Sequence, residues 1–141
     1  MTRDRAWHGG RILVAEDQFL LADVVCEFLR ECGLTPVGPA AELKEASRLA
    51  RHCALDGAVL DFKLGDDLCL PVCTILAARR VPFLFLTGYG ELSLIPLEFR
   101  GAPLVCKPFV SNEMQGALER MLGRDLHAPD LFQRVSSELR N

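Results

Sequence analysis

The stretch Ala58-Val59-Leu60-Asp61-Phe62-Lys63-Leu64-Gly65 decides the fold and points to the chemistry. A short apolar run ends in a carboxylate, and a glycine follows where the chain must turn. Three other runs share this grammar. Ile12-Leu13-Val14-Ala15 ends in the acidic pair Glu16-Asp17, Phe83-Leu84-Phe85-Leu86 ends in Thr87, and Leu104-Val105-Cys106 ends in Lys107, followed by Pro108. Short apolar runs bounded by turn signals read as fully buried strands. In an open parallel sheet the carboxyl ends of the strands line one edge, and ligands bind there. Three carboxylates, a hydroxyl and an ammonium should therefore converge. Such a set can hold a divalent cation and a phosphoryl group.

Between the runs the periodicity becomes helical. The spacing predicts strands over 11–15, 34–38, 56–61, 82–87 and 103–106. It predicts helices over 18–32, 41–53 and 68–80, and another over 112–123 with Ser111 as its N-cap and Gly123 closing it. Residues 91–99 form a weak segment broken by Pro96, and Gly65-Asp66-Asp67 reads as a turn. Alternating strands and helices with short links predict an α/β domain, a doubly wound five-stranded parallel sheet with helices on both faces. The expected organisation is an N-terminal extension over 1–10, one domain over 11–124 and a C-terminal extension over 125–141. Within the last, Pro129-Asp130 offers an opening for one amphipathic helix carrying Leu131, Val135 and Leu139.

The bulk numbers narrow the classes. With 141 residues, half of them hydrophobic and a quarter charged, the chain can bury a core and is not disordered. The net charge of −3 and the lack of a basic run give no nucleic-acid footprint. No apolar stretch is long enough to span a membrane, and no signal-like segment follows Met1, so the expectation is a soluble cytoplasmic protein. The six cysteines form no CxxC pair and read as buried free thiols in a reducing compartment.

Taken in order, these residues resemble the receiver domains of two-component response regulators, whose fold is flavodoxin-like. The resemblance runs from about Arg11 to Gly123. The family pattern is an acidic pair after the first strand, a phosphoacceptor Asp after the third, Thr or Ser after the fourth and Lys-Pro after the fifth. Here these are Glu16-Asp17, Asp61, Thr87 and Lys107-Pro108. The resemblance implies that Asp61 accepts phosphate from a sensor histidine kinase or histidine phosphotransfer protein, with Thr87 and Lys107 assisting. It implies Mg²⁺ held by Asp17, Asp61 and the backbone carbonyl of Lys63, with Glu16 acting through water. It also implies a cis Lys107-Pro108 bond and no enzyme activity beyond accepting phosphate and slowly losing it. Phe85-Leu86-Thr87-Gly88-Tyr89-Gly90 resembles the motif of a Phe-Ala-Thr-Gly subgroup of stand-alone receivers. Lys63 and Tyr89, each two residues past a site residue, flank the path of the hydrolytic water in such domains.

The chain departs from the family in three ways. Leu104 stands where receivers carry a switch aromatic. The interval from Thr87 to Lys107 is short. The residues after Gly123 are not expected to form an output domain, so signalling is expected through protein contacts with a downstream target or through phosphate transfer. By the same resemblance Gln18 and Ala22 face the kinase, and Asn112, Glu113 and Glu119 face an output partner. A haloacid-dehalogenase-like phosphatase also uses a strand-end Asp, but needs a second Asp where Lys63 stands. A mononucleotide binder needs glycine, not Glu16-Asp17-Gln18, after the first strand. A degenerate receiver that binds partners without phosphorylation is the remaining alternative.

Overall fold

Five apolar strands pair side by side: β1 (Arg11–Ala15), β2 (Thr35–Ala40), β3 (Gly57–Asp61), β6 (Phe83–Thr87) and β7 (Leu104–Cys106). All their pairings are parallel and their order is β2-β1-β3-β6-β7. A two-residue antiparallel pair, β4 (Lys63–Leu64) with β5 (Asp67–Leu68), follows β3 directly. Among the described residues four α-helices accompany the sheet: α1 (Phe19–Glu31), α2 (Leu43–His52), α3 (Leu70–Ala78) and α4 (Ser111–Leu122). This computed structural model describes residues 10–88, 90–109, 111–123 and 126. The extensions predicted over 1–10 and 125–141 lie, apart from Gly10 and Leu126, outside the described residues.

The period-two rule of strands sorts the core. Ile12, Val14, Val59, Leu84, Leu86 and Val105 face α1 and α4 in one buried cluster. Leu13, Ala15, Ala58, Leu60 and Phe85 face α2 and α3 in the other. Both faces being covered explains why the strand sequences are continuously apolar rather than alternating. The doubly wound α/β sheet expected from the sequence is the fold observed.

The differences are local. β2 runs on to Ala40, past Gly38, because Gly38 adopts φ +101° at a register shift against β1. A Cβ there would stand 2.9 Å from the Ala40 nitrogen and 3.0 Å from the Val14 oxygen, so only glycine fits. Ser111 is the first residue of α4 rather than its cap. The weak segment 91–99 forms two separate 3₁₀ turns, Leu92–Leu94 and Leu97–Phe99. Pro96 accounts for the break, since it lacks an N–H and excludes the residue before it from helical geometry. Ile95 is accordingly extended, with ψ 121°.

Helix α3 ends on an unusual residue. Arg80 adopts φ +60°, the left-handed conformation, while its N–H donates to the Ala77 oxygen at 3.0 Å. That closing position is normally glycine, because an L side chain is strained there. Arg80→Gly is expected to raise stability by about 0.5–1 kcal/mol, read as a higher urea midpoint with an unchanged slope. A lower midpoint would show that Arg80 contributes more through its side chain than its backbone costs.

Candidate functional site

Each predicted site residue stands at the carboxyl edge of the sheet. Glu16 follows β1, Asp61 ends β3, Thr87 ends β6 and Lys107 follows β7. The parallel register sets Asp61 opposite Leu86 and Thr87 opposite Cys106. The Lys107 N–H donates to the Thr87 oxygen at 2.9 Å, which ties the last two strand ends together. The Lys107-Pro108 bond is cis.

The side chains converge as the backbone places them. Lys107 Nζ donates to Asp61 Oδ2 at 2.8 Å and lies 3.0 Å from Glu16 Oε1. The second contact is an ion pair rather than an aligned hydrogen bond, for Glu16 Oε1 has no hydrogen-bond partner among the described residues. Glu16 Oε2 accepts the Gln18 N–H at 2.9 Å, and Asp61 Oδ1 accepts the Lys63 N–H at 3.3 Å. Asp17, exposed at the rim, accepts the Gly65 N–H on Oδ2 at 3.0 Å. Gly65 can turn its amide that way because it adopts φ +59° in the β4–β5 turn.

Carboxylate oxygens of Glu16, Asp17 and Asp61 all lie within 4.8 Å of one another. Glu16 and Asp61 are almost wholly buried, while Asp17 opens to solvent. Burial, and then the neighbouring Glu16, push Asp61 up to about 7 against the pull of Lys107. Burial also works on Asp17, but hydrogen bonds shared with Glu16, Gly65 and Asp61 outweigh it and hold the group below its ordinary value. Burial alone would lower Lys107, yet its hydrogen bond to Asp61 and its ion pair with Glu16 raise it, so it remains an ammonium. Thr87 is fully buried, and its hydroxyl has no hydrogen-bond partner among the described residues. Three hard carboxylates with one ammonium leave an excess of negative charge. That donor set fits Mg²⁺, which takes oxygen ligands.

Among solved structures, SdrG from Sphingomonas melonis Fr1 matches with 34% identity and a TM-score of 0.73, covering 82% of this chain and 98% of that one. The receiver domain of sensor histidine kinase PA1611 from Pseudomonas aeruginosa matches with 27% identity and a TM-score of 0.71, covering 82% and 98%. The chain is a response regulator receiver domain. The PA1611 receiver carries a magnesium ion coordinated in its active site cleft. Transcriptional regulatory protein PdtaR of Mycobacterium tuberculosis is 28% identical over 117 residues, which are 81% of this chain and 57% of that protein. The receiver thus spans little more than half the length of this curated relative. No family model matches the sequence.

Some expectations for this receiver shift on the structure. Ala22 is buried at 3% exposure, so it cannot meet a kinase; Phe19 and Leu20, both 77% exposed, and Val24 occupy the outer face of α1. Helical geometry explains this, because Ala22 shares its face with Val25, Cys26 and Leu29. Asn112 and Glu113 are exposed, whereas Glu119 is half-buried and accepts the Leu126 N–H at 2.8 Å. Lys63 is exposed, and Tyr89 lies outside the described residues. Leu104 is half-buried against the α2–α3 side of the sheet. Cys26, Cys32, Cys69 and Cys73 are buried as expected, the last two with sulfurs 3.7 Å apart, but Cys53 is half-buried and Cys106, at the end of the short edge strand β7, is exposed. Sequence reasoning missed Gly65 as a partner of Asp17, for which the turn glycine was the only signal. It also missed Glu91, whose carboxylate takes the Gly88 N–H at 2.9 Å. A Gly-x-x-Glu spacing after a strand, the spacing of a capping box, could have found it.

The raised Asp61 has a measurable consequence. Unfolded, an Asp loses its proton near 3.8, while in the metal-free fold Asp61 keeps it to about 7. Between those values the folded state binds more protons, so stability falls as pH rises. The metal-free domain should lose on the order of 1–2 kcal/mol from pH 4 to pH 8 after solvent screening, read from urea midpoints. Asp61→Asn should flatten that slope, and Mg²⁺ at pH 8 should restore wild-type stability, because it binds only the folded state. A slope equal in both proteins would assign the effect elsewhere.

Proposed function

We propose that this receiver accepts a phosphoryl group on Asp61 from a phosphohistidine of a sensor histidine kinase or a histidine phosphotransfer protein. The observation that carries the reading is the cluster itself: a buried Asp61 held between one ammonium and two further carboxylates, at the same strand edge as the buried Thr87 hydroxyl, which has no partner among the described residues. An Asp61 carboxylate oxygen attacks phosphorus, the P–N bond of the donor breaks, and its electron pair returns to the imidazole. The nucleophile is a carboxylate, as in aspartyl-phosphate formation generally.

Asp17, Asp61 and the Lys63 carbonyl would hold Mg²⁺, with Glu16 reaching it through water. Bound there, the ion would supply charge neutralisation for the transferring phosphoryl group. Lys107 meets one developing oxygen as a point charge. The Thr87 hydroxyl, free of any competing partner among the described residues, donates to another. The six free cysteines fit a reducing compartment, which agrees with a cytoplasmic site of action. Output passes to a downstream protein by contact or by onward phosphate transfer.

The exposed apolar turn Phe19-Leu20, with Val24, follows the acidic pair on the same edge as Asp61. A protein that brings a histidine to Asp61 must cover this turn, and apolar residues there favour contact with the donor.

Two measurements test the reading. Intact mass after incubation with Mg²⁺ and a small-molecule phosphodonor should show an adduct of about 80 Da on wild type and none on Asp61→Asn. An adduct on both proteins would place the acceptor elsewhere; none on wild type, together with no Mg²⁺ binding, would favour a phosphorylation-independent binding module. Leu20→Glu should cut transfer from a kinase identified by profiling with the wild-type chain by about tenfold or more. Its labelling by the small donor should stay at the wild-type level. Equal transfer in both proteins would remove this turn of α1 from the docking surface.

A further inference from the structure

Receivers link site to surface through an aromatic three residues before the lysine, and here that residue is Leu104. The structure contains a different link. The Gly88 N–H donates to Glu91 Oε1 at 2.9 Å, and the Glu91 N–H returns to the Gly88 oxygen at 3.3 Å. A Cβ on Gly88 would stand 3.4 Å from Glu91 Oε2, so the carboxylate lies directly over the bare α-carbon. Gly88 is the residue after Thr87, whose buried hydroxyl is unpartnered among the described residues. An anion therefore sits one residue from the place where a phosphoryl group would seek donors.

Backbone hydrogen bonding joins Glu91 to the segment beyond it. Its carbonyl accepts the Leu94 N–H at 3.0 Å and so opens the first 3₁₀ turn. That turn exposes Leu92 at 49% and Leu94 at 52%, then dips to Ile95, which is buried at 2%. Whatever moves Glu91 moves the backbone that carries two exposed leucines.

We propose that Glu91 is an internal stand-in for a phosphoryl oxygen: its carboxylate holds the Gly88 N–H until a phosphoryl group on Asp61 takes that donor and expels it. The inference rests on Asp61 being the acceptor. Two anions cannot share one amide at close range, because like charges repel and a single N–H satisfies one acceptor well. The incoming group carries more charge than a carboxylate and is also held by Lys107, so it wins the donor. Glu91 leaves, the Gly88–Glu91 turn loses its tie, and the Leu92–Leu94 turn is repositioned. Glu91 is thus a positioning residue, which sets both the occupancy of Gly88 and the state of the exposed turn.

The full chain can be titrated with beryllofluoride in the presence of Mg²⁺, following backbone amides by ¹⁵N–¹H NMR. The Gly88 amide of wild type should shift, together with those of Leu92 and Leu94. Glu91→Ala frees the donor in advance and should bind beryllofluoride about three- to tenfold tighter. Its Leu92 and Leu94 amides should already be displaced without ligand. Glu91→Gln keeps an acceptor but removes the charge and should fall between the two, which a merely structural tie would not produce. Wild type that binds beryllofluoride with the Gly88, Leu92 and Leu94 amides unmoved overturns the proposal while leaving Asp61 its role. Equal affinity in all three proteins does the same. Failure of every protein to bind beryllofluoride, with no phosphate adduct on wild type, overturns the reading of Asp61 and this inference with it. The wild-type amides report even if a variant fails to fold.

Discussion

Crowded negative charge is the constraint on which the carboxyl edge depends. Three carboxylates stand within 4.8 Å of one another, and one ammonium offsets them. The backbone holds them there: Glu16 and Asp61 extend adjacent strands whose register is fixed along four paired residues. Lys107 comes from β7, two strands from β3, or about 10 Å at the usual strand spacing. Only a long side chain can cross that distance, and it must pass the end of β6. The small pair Thr87-Gly88 stands at that end. The same crossing leaves Lys107 only partly shielded, with 19% of its side chain exposed, while both its partners are buried. Removing Lys107 from such a set would leave the buried carboxylates without their compensating charge.

Much of this was legible in the sequence because parallel strands covered on both faces lose their alternation and become plain apolar runs. Where each run stopped, a polar residue marked the edge, so Glu16, Asp61, Thr87 and Lys107 could be set side by side without a structure. The illegible parts depend on tertiary geometry. The amphipathic pattern of α1 did not separate Ala22 from the outer face, since alanine suits either environment. The β4–β5 pair, only two residues a strand, lies below the length at which periodicity speaks. Gly38 read as the end of a strand, yet its positive φ lets β2 continue to Ala40. Ser111 has the chemistry of an N-cap, but helix α4 already includes it.

Pro96 shows how one residue can set the character of a whole segment. A helix over 91–99 would need the Pro96 N–H and a helical Ile95, and proline denies both. The two resulting turns differ in how they are held. Phe99 packs edge-on against Phe83 at 5.7 Å, and Phe83, Phe85 and Phe62 continue the contact at 5.4 and 5.6 Å toward the residue beside Asp61. The Arg100 guanidinium also grips the Ile95 oxygen at 2.9 Å.

Among the described residues the first turn has no comparable packing. Leu92 and Leu94 face solvent, and what fixes the start of the turn is backbone hydrogen bonding together with the Glu91 carboxylate on Gly88. Buried aromatic contacts resist displacement because every neighbour must move with them. A solvent-facing turn held by a few hydrogen bonds opens at far lower cost. Buried Ile95 divides the two regimes. On the proposed expulsion of Glu91, a change at the strand edge would be absorbed in residues 91–94, while 97–99 would stay with the core. Leu104 lacks the ring on which the family's aromatic switch depends, and among the described residues this uneven anchoring makes the short turn after Gly88 the element that the proposed role of Glu91 would use.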